Sequence, residues 1–430
     1  MRHAKLLRRQ TESIGAATTM ANPPATIKHR LPLVADENSL ARRIVELSAS
    51  LGFSAIGFCD VEPFNDGGER LRAWLAKNYH GEMGYLAERP RHEPRALLPE
   101  ARGMIVVALA YPGRSPRGDG QNAPGAVGTD VERGTRSETR TSARPVIAGY
   151  ARGLDYHIVM RGKLHQFAEG LGRILGRPVA TRACVDSAPL LERDAAVRAG
   201  LGFIGKNTLA IVPGLGSYFL LGELLVDFEL PSGPVANAGC GSCRACLDAC
   251  PTDAFLDAHT LDARRCVSYL TIEHTGPIPR ELRAKLGLMV FGCDVCQAVC
   301  PFNASPKPKA EAPELQPLPR LDAVSIAGLL GQSARQHRRL TRGTALRRVS
   351  RARLARNAAV ALGNLGDPSA LPALVEALAT DPNPLVRSHV AWALGRLGGS
   401  DAIRALRAAC ADDSPEVRRE AILCLAELEN

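Results

Sequence analysis

The chain has 430 residues, of which 45% are hydrophobic and 23% charged, a composition that is typical of globular proteins with a sizeable core. This length predicts two or three domains. Lysine and arginine number 54 against 44 aspartates and glutamates, and the formal net charge of +10 is compatible with binding a polyanion. No run of roughly eighteen apolar residues is present, so the sequence predicts no transmembrane helix.

The first 36 residues are basic but lack the apolar segment that a secretory signal needs. The cations Arg2, Lys5, Arg8 and Arg9 are followed by no such segment. The pair Arg8-Arg9 is also found in twin-arginine export signals, which require the same missing segment. We therefore expect residues 1–36 to be a disordered basic tail and the protein to be cytoplasmic, with no membrane partner.

Residues 37–235 alternate helix-like and strand-like patterns. The predicted elements are a helix over 39–51, strands over 53–58 and 104–109, a helix over 155–175, a strand over 181–185, a helix from Pro189 to Ala199, and a strand or strand pair over 217–230. Residues 113–145 are rich in Gly, Pro, Ser, Thr and Arg, which predicts a long loop. The alternation of helices and strands predicts an α/β domain.

Eight of the twelve cysteines lie between Cys240 and Cys300. Such clustering in a long chain without a secretory signal indicates metal binding rather than disulfides. The first four of these cysteines, followed by Pro251, have the spacing of bacterial two-cluster ferredoxins. A second run ends at Cys300-Pro301 and is one cysteine short, and Cys266 can supply the missing ligand.

In the ferredoxin pattern, the cysteine beside proline ligates the other cluster. The predicted ligands of one 4Fe-4S cluster are Cys240, Cys243, Cys246 and Cys300. The predicted ligands of the second are Cys250, Cys266, Cys293 and Cys296. Zinc also binds Cys-x2-Cys pairs, but it does not explain two proline-terminated runs, so iron–sulfur clusters are favoured. Residues 236–304 are therefore predicted to form a ferredoxin-like domain.

The remaining residues are predicted to be helical. Residues 305–334 are interpreted as a proline-rich linker and a helix, and residues 335–430 as a basic helix followed by HEAT-like repeats. The segment Asp381–Arg387 recurs as Asp412–Arg418, a period of 31 residues. Each unit is a helix pair that buries its apolar face only by stacking on its neighbour. The predicted fold class is α+β: an α/β domain, a ferredoxin-like domain and α-helical repeats.

Residues 335–356 hold the highest concentration of charge. They contain nine arginines and no acidic residue, namely Arg335, Arg338, Arg339, Arg342, Arg347, Arg348, Arg351, Arg353 and Arg356. Guanidinium groups match phosphate oxygens, so the segment predicts a nucleic-acid contact. The alternative is a solvated basic helix, which the absence of interspersed acids makes less favoured.

The chain resembles the epoxyqueuosine reductase family, which completes queuosine synthesis in tRNA. The resemblance runs from about residue 40 to the end and rests on six stretches: His80–Met83, Tyr150–His157, Val185–Arg193, Ala199–Asn207, Cys266–Glu273 and Phe291–Gln297. It implies an oxidoreductase that binds cobalamin in the α/β domain, where the clusters deliver electrons to cobalt. It also implies that the substrate is epoxyqueuosine in the anticodon stem-loop of tRNA.

The resemblance further implies roles for individual residues. Asp186 is the implied proton donor to the epoxide oxygen and also lies near the cofactor. The other residues implied at the cobalamin are Arg91, Ala148, Lys206, Asn207, Ser217, Ser268 and Asp294. Some relatives carry a cysteine at this position, whereas this chain has Ala148. The difference argues that no thiol is required there. Arg193 is implied as a tRNA contact, and we add Arg347, Arg348 and Arg351 from the basic segment.

Asp186 can also be interpreted without the resemblance. It ends an apolar strand, and a carboxyl group in an apolar pocket has a raised pKa, so we expect it to be protonated near neutral pH. The alternative is that Asp186 or Ser187 caps a helix beginning at Pro189.

Two other functions remain compatible with these patterns. A reductive dehalogenase also combines cobalamin with iron–sulfur clusters, but members of that class are typically exported through a twin-arginine signal. A non-catalytic electron-transfer or interaction protein would also use clusters and repeats. For the favoured function we expect an external electron donor and a monomer.

Overall fold

The computed structural model describes residues 39–113, 143–233, 236, 238–304 and 311–429. The predicted tail over 1–36 and most of the predicted loop over 113–145 lie outside the described residues. Within the described ranges, no helix is long and apolar enough to cross a membrane.

A four-stranded sheet forms the centre of the first domain. Its strands are β1 (Ala55–Cys59), β2 (Gly103–Ala110), β4 (Thr181–Cys184) and β7 (Phe219–Val226), in the order β1-β2-β7-β4. Every neighbouring pair is antiparallel. The sheet is covered on both faces, which is why β2 is apolar and buried along its whole length.

Successive side chains of β2 enter two different cores, as the alternation of a strand requires. Ile105, Val107 and Leu109 pack against the helices α1 (Leu40–Ser50) and α3 (Tyr156–Leu175). Met104 and Val106 face the opposite core, which includes residues of α4 (Glu192–Arg198). A further helix, α2 (Asn65–Ala76), follows β1.

The helix predicted to start at Pro189 begins instead at Glu192. The residues before Glu192 have a non-helical conformation and a hydrogen bond to another segment. Asp186 has a φ of +43°, outside the helical region. The N–H of Leu191 donates to the carbonyl of Arg91 at 3.0 Å. Neither Asp186 nor Ser187 therefore caps the helix, and residues 186–191 form a turn in front of it.

Two short strands lie between α4 and β7 in the chain, and further short elements after β7 make up the cysteine-rich region, which we call the cluster region. They are β5 (Phe203–Ile204), β6 (Ala210–Ile211), α5 (Ala245–Asp248), β8 (Phe255–Asp257), β9 (Thr260–Leu261), α6 (Val267–Ile272), α7 (Arg280–Arg283), β10 (Met289–Phe291) and α8 (Val295–Ala298). Strand β10 pairs in parallel with β3 (Val146–Ile147) of the first domain. The cluster region is therefore tied to the sheet domain by backbone hydrogen bonds.

The C-terminal region is helical. Its helices are α9 (Pro319–Asp322), α10 (Ile326–Leu330), α11 (Ala334–Thr341), α12 (Arg351–Leu365), α13 (Leu371–Thr380), α14 (Pro384–Leu397), α15 (Ser400–Ala409) and α16 (Pro415–Glu429). Ion pairs join successive units, since Arg351 bonds Asp381 and Arg387 bonds Asp412. The aspartates and arginines that recur in the sequence thus link successive repeat units by ion pairs.

Helix α12 is also the main contact of the repeats with the cluster region. The guanidinium group of Arg356 is fully buried and donates to the carbonyls of Leu270, His274 and Gly276 at 2.6–2.9 Å. The adjacent Asn357 donates to the carbonyl of Thr271 at 2.8 Å. These bonds satisfy carbonyl groups at the end of α6 that would otherwise be buried without partners.

Candidate active site

Asp186 lies at the convergence of three polar side chains, directly after β4. Its Oδ2 atom accepts a hydrogen bond from the hydroxyl of Tyr156 at 2.7 Å and lies 3.0 Å from Nε2 of His157. The guanidinium group of Arg348 contacts the same oxygen at 3.1 Å. The first two partners come from the start of α3, and the third comes from the segment that precedes the repeats.

The start of α3 is fixed by Asp155, its N-cap residue. The carboxylate of Asp155 accepts from the backbone N–H of His157 at 3.1 Å and lies 2.8 Å from Nδ1 of the same imidazole. The imidazole is therefore held between two carboxylates, Asp155 at one nitrogen and Asp186 at the other. Three consecutive residues, Asp-Tyr-His, thus provide the helix cap and two side chains that contact Asp186.

The expected protonation of Asp186 is wrong for this structure. Burial alone would raise its pKa, as the sequence suggested, but the hydrogen bonds from His157 and Tyr156 and the charge of Arg348 outweigh burial and lower the pKa to about 2. Asp186 is therefore a carboxylate at neutral pH. The apolar sequence before Asp186 does not indicate the three donors, because they come from other parts of the chain.

The proton in this network resides on His157. Burial would lower its pKa, but hydrogen bonds to Asp155 and Asp186 and their negative charges raise it to about 9. Tyr156 remains protonated as well, because burial and the charge of Asp186 raise its pKa far above the ordinary value. The network can hold one proton on an imidazolium beside a carboxylate at neutral pH.

Arg348 also approaches Glu273, with 3.4 Å between Nη2 and Oε1. We predicted Arg348 as a tRNA contact, and the structure places its guanidinium group against the carboxylate of Asp186. Arg351, predicted in the same way, is engaged with Asp381 at 2.5 and 2.9 Å. Arg347 is exposed to solvent.

Arg193 is the fourth residue predicted to contact tRNA. Its guanidinium group donates to the backbone carbonyl of Thr208. This bond ties α4 to the loop that follows β5. The structure therefore gives Arg193 an internal partner.

Arg91 lies at the edge of the same cleft. Its Nη1 donates to the carbonyl of Ala188 at 3.3 Å, in the turn that carries Asp186. Its guanidinium carbon lies 5.9 Å from the centre of the Tyr85 ring. Its Nε is buried and, within the described ranges, has no hydrogen-bond partner. Such an atom is suited to a polar group of a bound ligand.

The remaining residues predicted at the cofactor divide into two groups. Lys206 donates from Nζ to the carbonyls of Gly241 and Cys243 at 2.7 and 2.9 Å. Asn207 is buried and donates to the carbonyl of Cys296 at 3.5 Å. These two side chains therefore hold the cysteine loops.

The second group lies around the start of α8. The buried hydroxyl of Ser217 donates to Gln297 at 3.0 Å, and Gln297 in turn donates to Asp294 at 3.2 Å. Asp294 also accepts from the backbone N–H of Gly149 at 2.6 Å, next to the buried Ala148. Ser217 and Asp294 thus connect β7 and β3 to the second cysteine run.

Ser268 lies in α6, two residues after Cys266. It is half-buried, and its carbonyl accepts from the hydroxyl of Thr271 at 3.2 Å. This places Ser268 on the helix whose carboxyl end is held by the repeats.

The cysteines fall into two sets by the charges that act on their thiols. Burial, followed by Cys240, Cys300 and Cys243, raises the pKa of Cys246. Burial, followed by Cys266, Asp294 and Cys250, raises the pKa of Cys293. The chain therefore brings together cysteines from both runs in each group, which is the crossed pattern expected for two clusters.

The donors around the sulfur atoms also fit thiolate ligands. The backbone N–H of Lys206 points to Sγ of Cys240 at 3.4 Å, and that of Ala254 to Sγ of Cys250 at 3.3 Å. Backbone N–H groups directed at sulfur stabilise the negative charge of a cluster and tune its potential. No disulfide forms among the described cysteines, so their thiols are available as ligands.

Several polar groups at this site were not predicted from the sequence. Tyr156 and His157 lie in one of the stretches that carry the family resemblance, but no role was predicted for them. Glu192 and Glu223, which lie behind the Asp186 turn, were also missed. The signal for His157 was available, because an Asp-x-His step at a helix start places an imidazole next to its own cap.

Comparison with known proteins adds three family matches. The model described as "4Fe-4S double cluster binding domain" matches residues 239–303, and that of HEAT repeats matches residues 342–426. The model described as "Epoxyqueuosine reductase QueG, DUF1730" matches residues 91–187. The first two confirm the predicted two-cluster domain and the HEAT-like repeats.

Solved structures of epoxyqueuosine reductases have the same fold. One, crystallised with an epoxyqueuosine-modified tRNA-Tyr stem loop, is 32% identical, with a TM-score of 0.79 over 91% of this chain and 99% of that one. The Streptococcus thermophilus enzyme is 29% identical, with a TM-score of 0.79 over 91% of this chain and 100% of that one.

Curated relatives extend the similarity over most of the chain. The epoxyqueuosine reductase of Pseudomonas aeruginosa is 42% identical over 362 residues, which cover 83% of this chain and 94% of that protein. The Escherichia coli enzyme is 36% identical over 362 residues, which cover 83% of this chain and 89% of that protein. With sheet domain, cysteine runs and repeats all matched, this chain belongs to the epoxyqueuosine reductase family of oxidoreductases.

Proposed function

We propose that this chain reduces epoxyqueuosine to queuosine in the anticodon loop of tRNA. Two 4Fe-4S clusters and cobalamin, when bound, would supply the electron transfer, and Asp186 is the proton donor. The observation that carries the proposal is the Asp186 network, in which an imidazolium and a guanidinium converge on one carboxylate, in a chain that also has eight clustered cysteines. The overall reaction consumes one epoxide, two electrons and two protons, and it yields an alkene and water.

The clusters are proposed to be held in the crossed arrangement described above. Cys240, Cys243, Cys246 and Cys300 hold the first, and Cys250, Cys266, Cys293 and Cys296 hold the second. Spatial grouping of the thiols and the N–H groups directed at sulfur support this assignment. An external reductant must supply the electrons, because the clusters and cobalamin transfer electrons but are not their source.

Cobalamin is proposed to lie in the cleft beside Asp186. Bound there, it would supply a redox-active cobalt for electron transfer to the substrate. The buried, unpartnered Nε of Arg91 among the described residues and the small side chain of Ala148 are compatible with a large polar ligand. Ser268 and Asp294 are proposed at its cluster side. Lys206, Asn207 and Ser217 are proposed to act on it through the cysteine loops that they contact.

Asp186 needs a proton before it can donate one. At neutral pH the nearest proton is on His157, 3.0 Å away, because the pKa of that imidazole is raised to about 9 by the flanking carboxylates. We infer that His157 supplies the proton to Asp186 as the charge on the epoxide oxygen develops. The hydroxyl of Tyr156 keeps the carboxylate oriented throughout.

The tRNA is proposed to bind across the basic segment so that the modified base enters the cleft. A family member has been crystallised with a modified tRNA stem loop, which supports this partner. Single-stranded loops allow a base to leave the stack and enter a pocket. Arg347 is exposed and so is Arg348, which is placed beside Asp186 to meet the incoming nucleotide. Arg193 and Arg351 are proposed to act on tRNA only through the elements they brace.

The test is anaerobic reconstitution of the monomer with iron, sulfide and cobalamin, followed by nucleoside analysis of tRNA that contains epoxyqueuosine. Queuosine should form with wild type and with the surface control D401N, and D186N should lose at least about 100-fold in rate. Clusters that assemble fully without any formation of queuosine would contradict the proposal. Turnover of chlorinated aromatic substrates in its place would favour a dehalogenase.

A further inference from the structure

A buried carboxyl group lies behind the Asp186 turn without an ordinary partner. Glu223 is in the centre of β7, fully buried, opposite Val106 on β2 and Cys184 on β4. Both oxygens of its carboxyl group are buried and, in the part of the chain that the structure describes, receive no N–H or O–H donor. A buried carboxylate in that position would be very costly.

The group that faces Glu223 is another carboxyl group, that of Glu192 at the start of α4. Two carboxyl groups can hydrogen-bond only if one of them carries a proton. Burial and the charge of Glu192 raise the pKa of Glu223 well above its ordinary value. Burial and the charge of Asp186 raise the pKa of Glu192 to about 8. The pair therefore retains at least one proton at neutral pH.

Other titratable groups around the pair do not neutralise it. The thiols of Cys59 on β1 and Cys184 on β4 sense Glu223, and burial raises the pKa of both, so they are uncharged at neutral pH. Asp186 adds negative charge. Arg193 lowers the pKa of Glu192, but its guanidinium group is bonded to a backbone carbonyl. Among the described residues, a shared proton is what stabilises the pair.

Glu192 also contacts Asp186, the proposed proton donor. Its Oε1 accepts a hydrogen bond from the backbone N–H of Asp186. Asp186 has a φ of +43°, a left-handed conformation that is costly for a residue with a Cβ and needs support from its surroundings. This hydrogen bond supports the backbone of Asp186, whereas Tyr156 and His157 contact its side chain.

We propose that Glu192 and Glu223 share a proton and act together as positioning residues that fix the turn aiming Asp186 into the cleft. This inference rests on the proposed role of Asp186 as proton donor. When the shared proton is lost at alkaline pH, three carboxylates repel one another and Glu192 leaves the N–H of Asp186. The rate of the chemical step then falls, whereas tRNA affinity, which depends on other surfaces, does not change.

The experiment measures single-turnover rates of the reconstituted enzyme on an epoxyqueuosine stem-loop between pH 6 and pH 10, together with KM. E192L removes the acceptor of the Asp186 N–H and should lower kcat by about 10- to 100-fold with KM unchanged. E192Q keeps that acceptor and should restore most of the rate. The control E229Q changes an exposed glutamate, 76% exposed, and should behave as wild type.

E223Q provides the sharper comparison. Its amide can donate to Glu192 without a shared proton, so the alkaline limb of the rate should move up by at least about one pH unit. Infrared spectra of the unreacted protein should show a protonated carboxyl band that titrates above pH 8 and is absent from E223Q. Alkaline limbs that superimpose, or an E192L rate equal to wild type, would overturn the inference while leaving wild-type activity, and thus the proposed function, intact.

Discussion

The arginines of residues 335–347 and those of residues 348–356 differ in where their guanidinium groups lie. Arg335, Arg338, Arg339, Arg342 and Arg347 are exposed to solvent. Arg348, Arg351, Arg353 and Arg356 instead contact carboxylates or backbone carbonyls of other elements. One run of like charge therefore divides into two parts. The first part forms a solvent-exposed surface, and the second forms a brace, whose guanidinium groups bond other elements of the protein.

The difference teaches that the local charge of a segment does not determine its role. The inward arginines find partners in the cluster region and in the next repeat, which lie far away in the sequence. Arg351, Arg353 and Arg356 are engaged inside the protein in this way, whereas the side chain of Arg348 contacts Asp186 and is still 42% exposed. The outward arginines, on and after α11, keep a positive field that can attract tRNA.

Replacing the innermost arginine should have the largest effect. R356L removes the donors to the buried carbonyl of Leu270 and to the partly buried carbonyls of His274 and Gly276, so the free energy of unfolding should drop by about 3–5 kcal/mol. Chemical denaturation of the metal-free chain measures the change, and R339L, an outward replacement of the same type, is the control. Equal stability of the two variants would remove the distinction between brace and surface.

Neutralising the outward arginines should affect binding and not stability. In the triple variant R338Q/R339Q/R342Q, tRNA affinity should fall by about 10- to 100-fold, and the slope of log affinity against log salt should decrease by about 2. Fluorescence anisotropy with a labelled stem-loop at several salt concentrations gives both values. A strong loss of affinity with an unchanged slope would point to a contact that is not electrostatic.

The brace between the first two repeats should be worth less. Arg351 and Asp381 form a bidentate pair, with side chains 18% and 5% exposed. A double-mutant cycle of R351M and D381N should give a coupling energy of about 1–2 kcal/mol from thermal unfolding. The pair Arg387–Asp412, one unit further on, offers a matched cycle. Additive effects at both pairs would show that stacking of the helices alone holds the repeats together.

The smallest effect is expected where the two parts of the segment meet. Arg348 and Asp186 have side chains 42% and 44% exposed, so their contact should contribute less than about 1 kcal/mol. Because the pKa of Asp186 is lowered to about 2, that contribution is present above its ordinary pKa and disappears as the pH falls through about 2.

Thermal unfolding of R348Q against wild type between pH 7 and pH 2 measures this change. The difference in Tm should be small at pH 7 and should vanish at the acid end. A difference that grows on acidification would mean that Arg348 does not stabilise the carboxylate. R347Q, the adjacent outward position, should show no trend with pH.

The parts of this molecule that were predictable from sequence depend on local spacing. The cysteine runs, the period of the repeats and the helix over 155–175 all have regular intervals, which reflect cluster and helix geometry. The start of α4 at Glu192 could not be predicted, because the backbone before it is held by Arg91 and Glu192. The ionisation of Asp186 was missed for the same reason, since Arg348 is distant in the chain.

The residues implied by family resemblance show the same limit. Arg91 bonds the turn that carries Asp186, whereas Lys206 and Asn207 bond the cysteine loops. A motif identifies residues that matter together but not which neighbour each one touches. Only a three-dimensional structure separates side chains that face a ligand from those that hold the ligand's supports.

The bonds from α12 to the cluster region also set an order of assembly. Synthesis proceeds from the N-terminus, so Cys266 and Cys293 emerge well before Arg356 and Asn357 do. Until then the carbonyls of Leu270, Thr271 and Val290, between those two cysteines, have no donor from α12. These carbonyls between the two cysteine runs therefore receive their donors only after the first helix of the repeats has been synthesised and has packed against them.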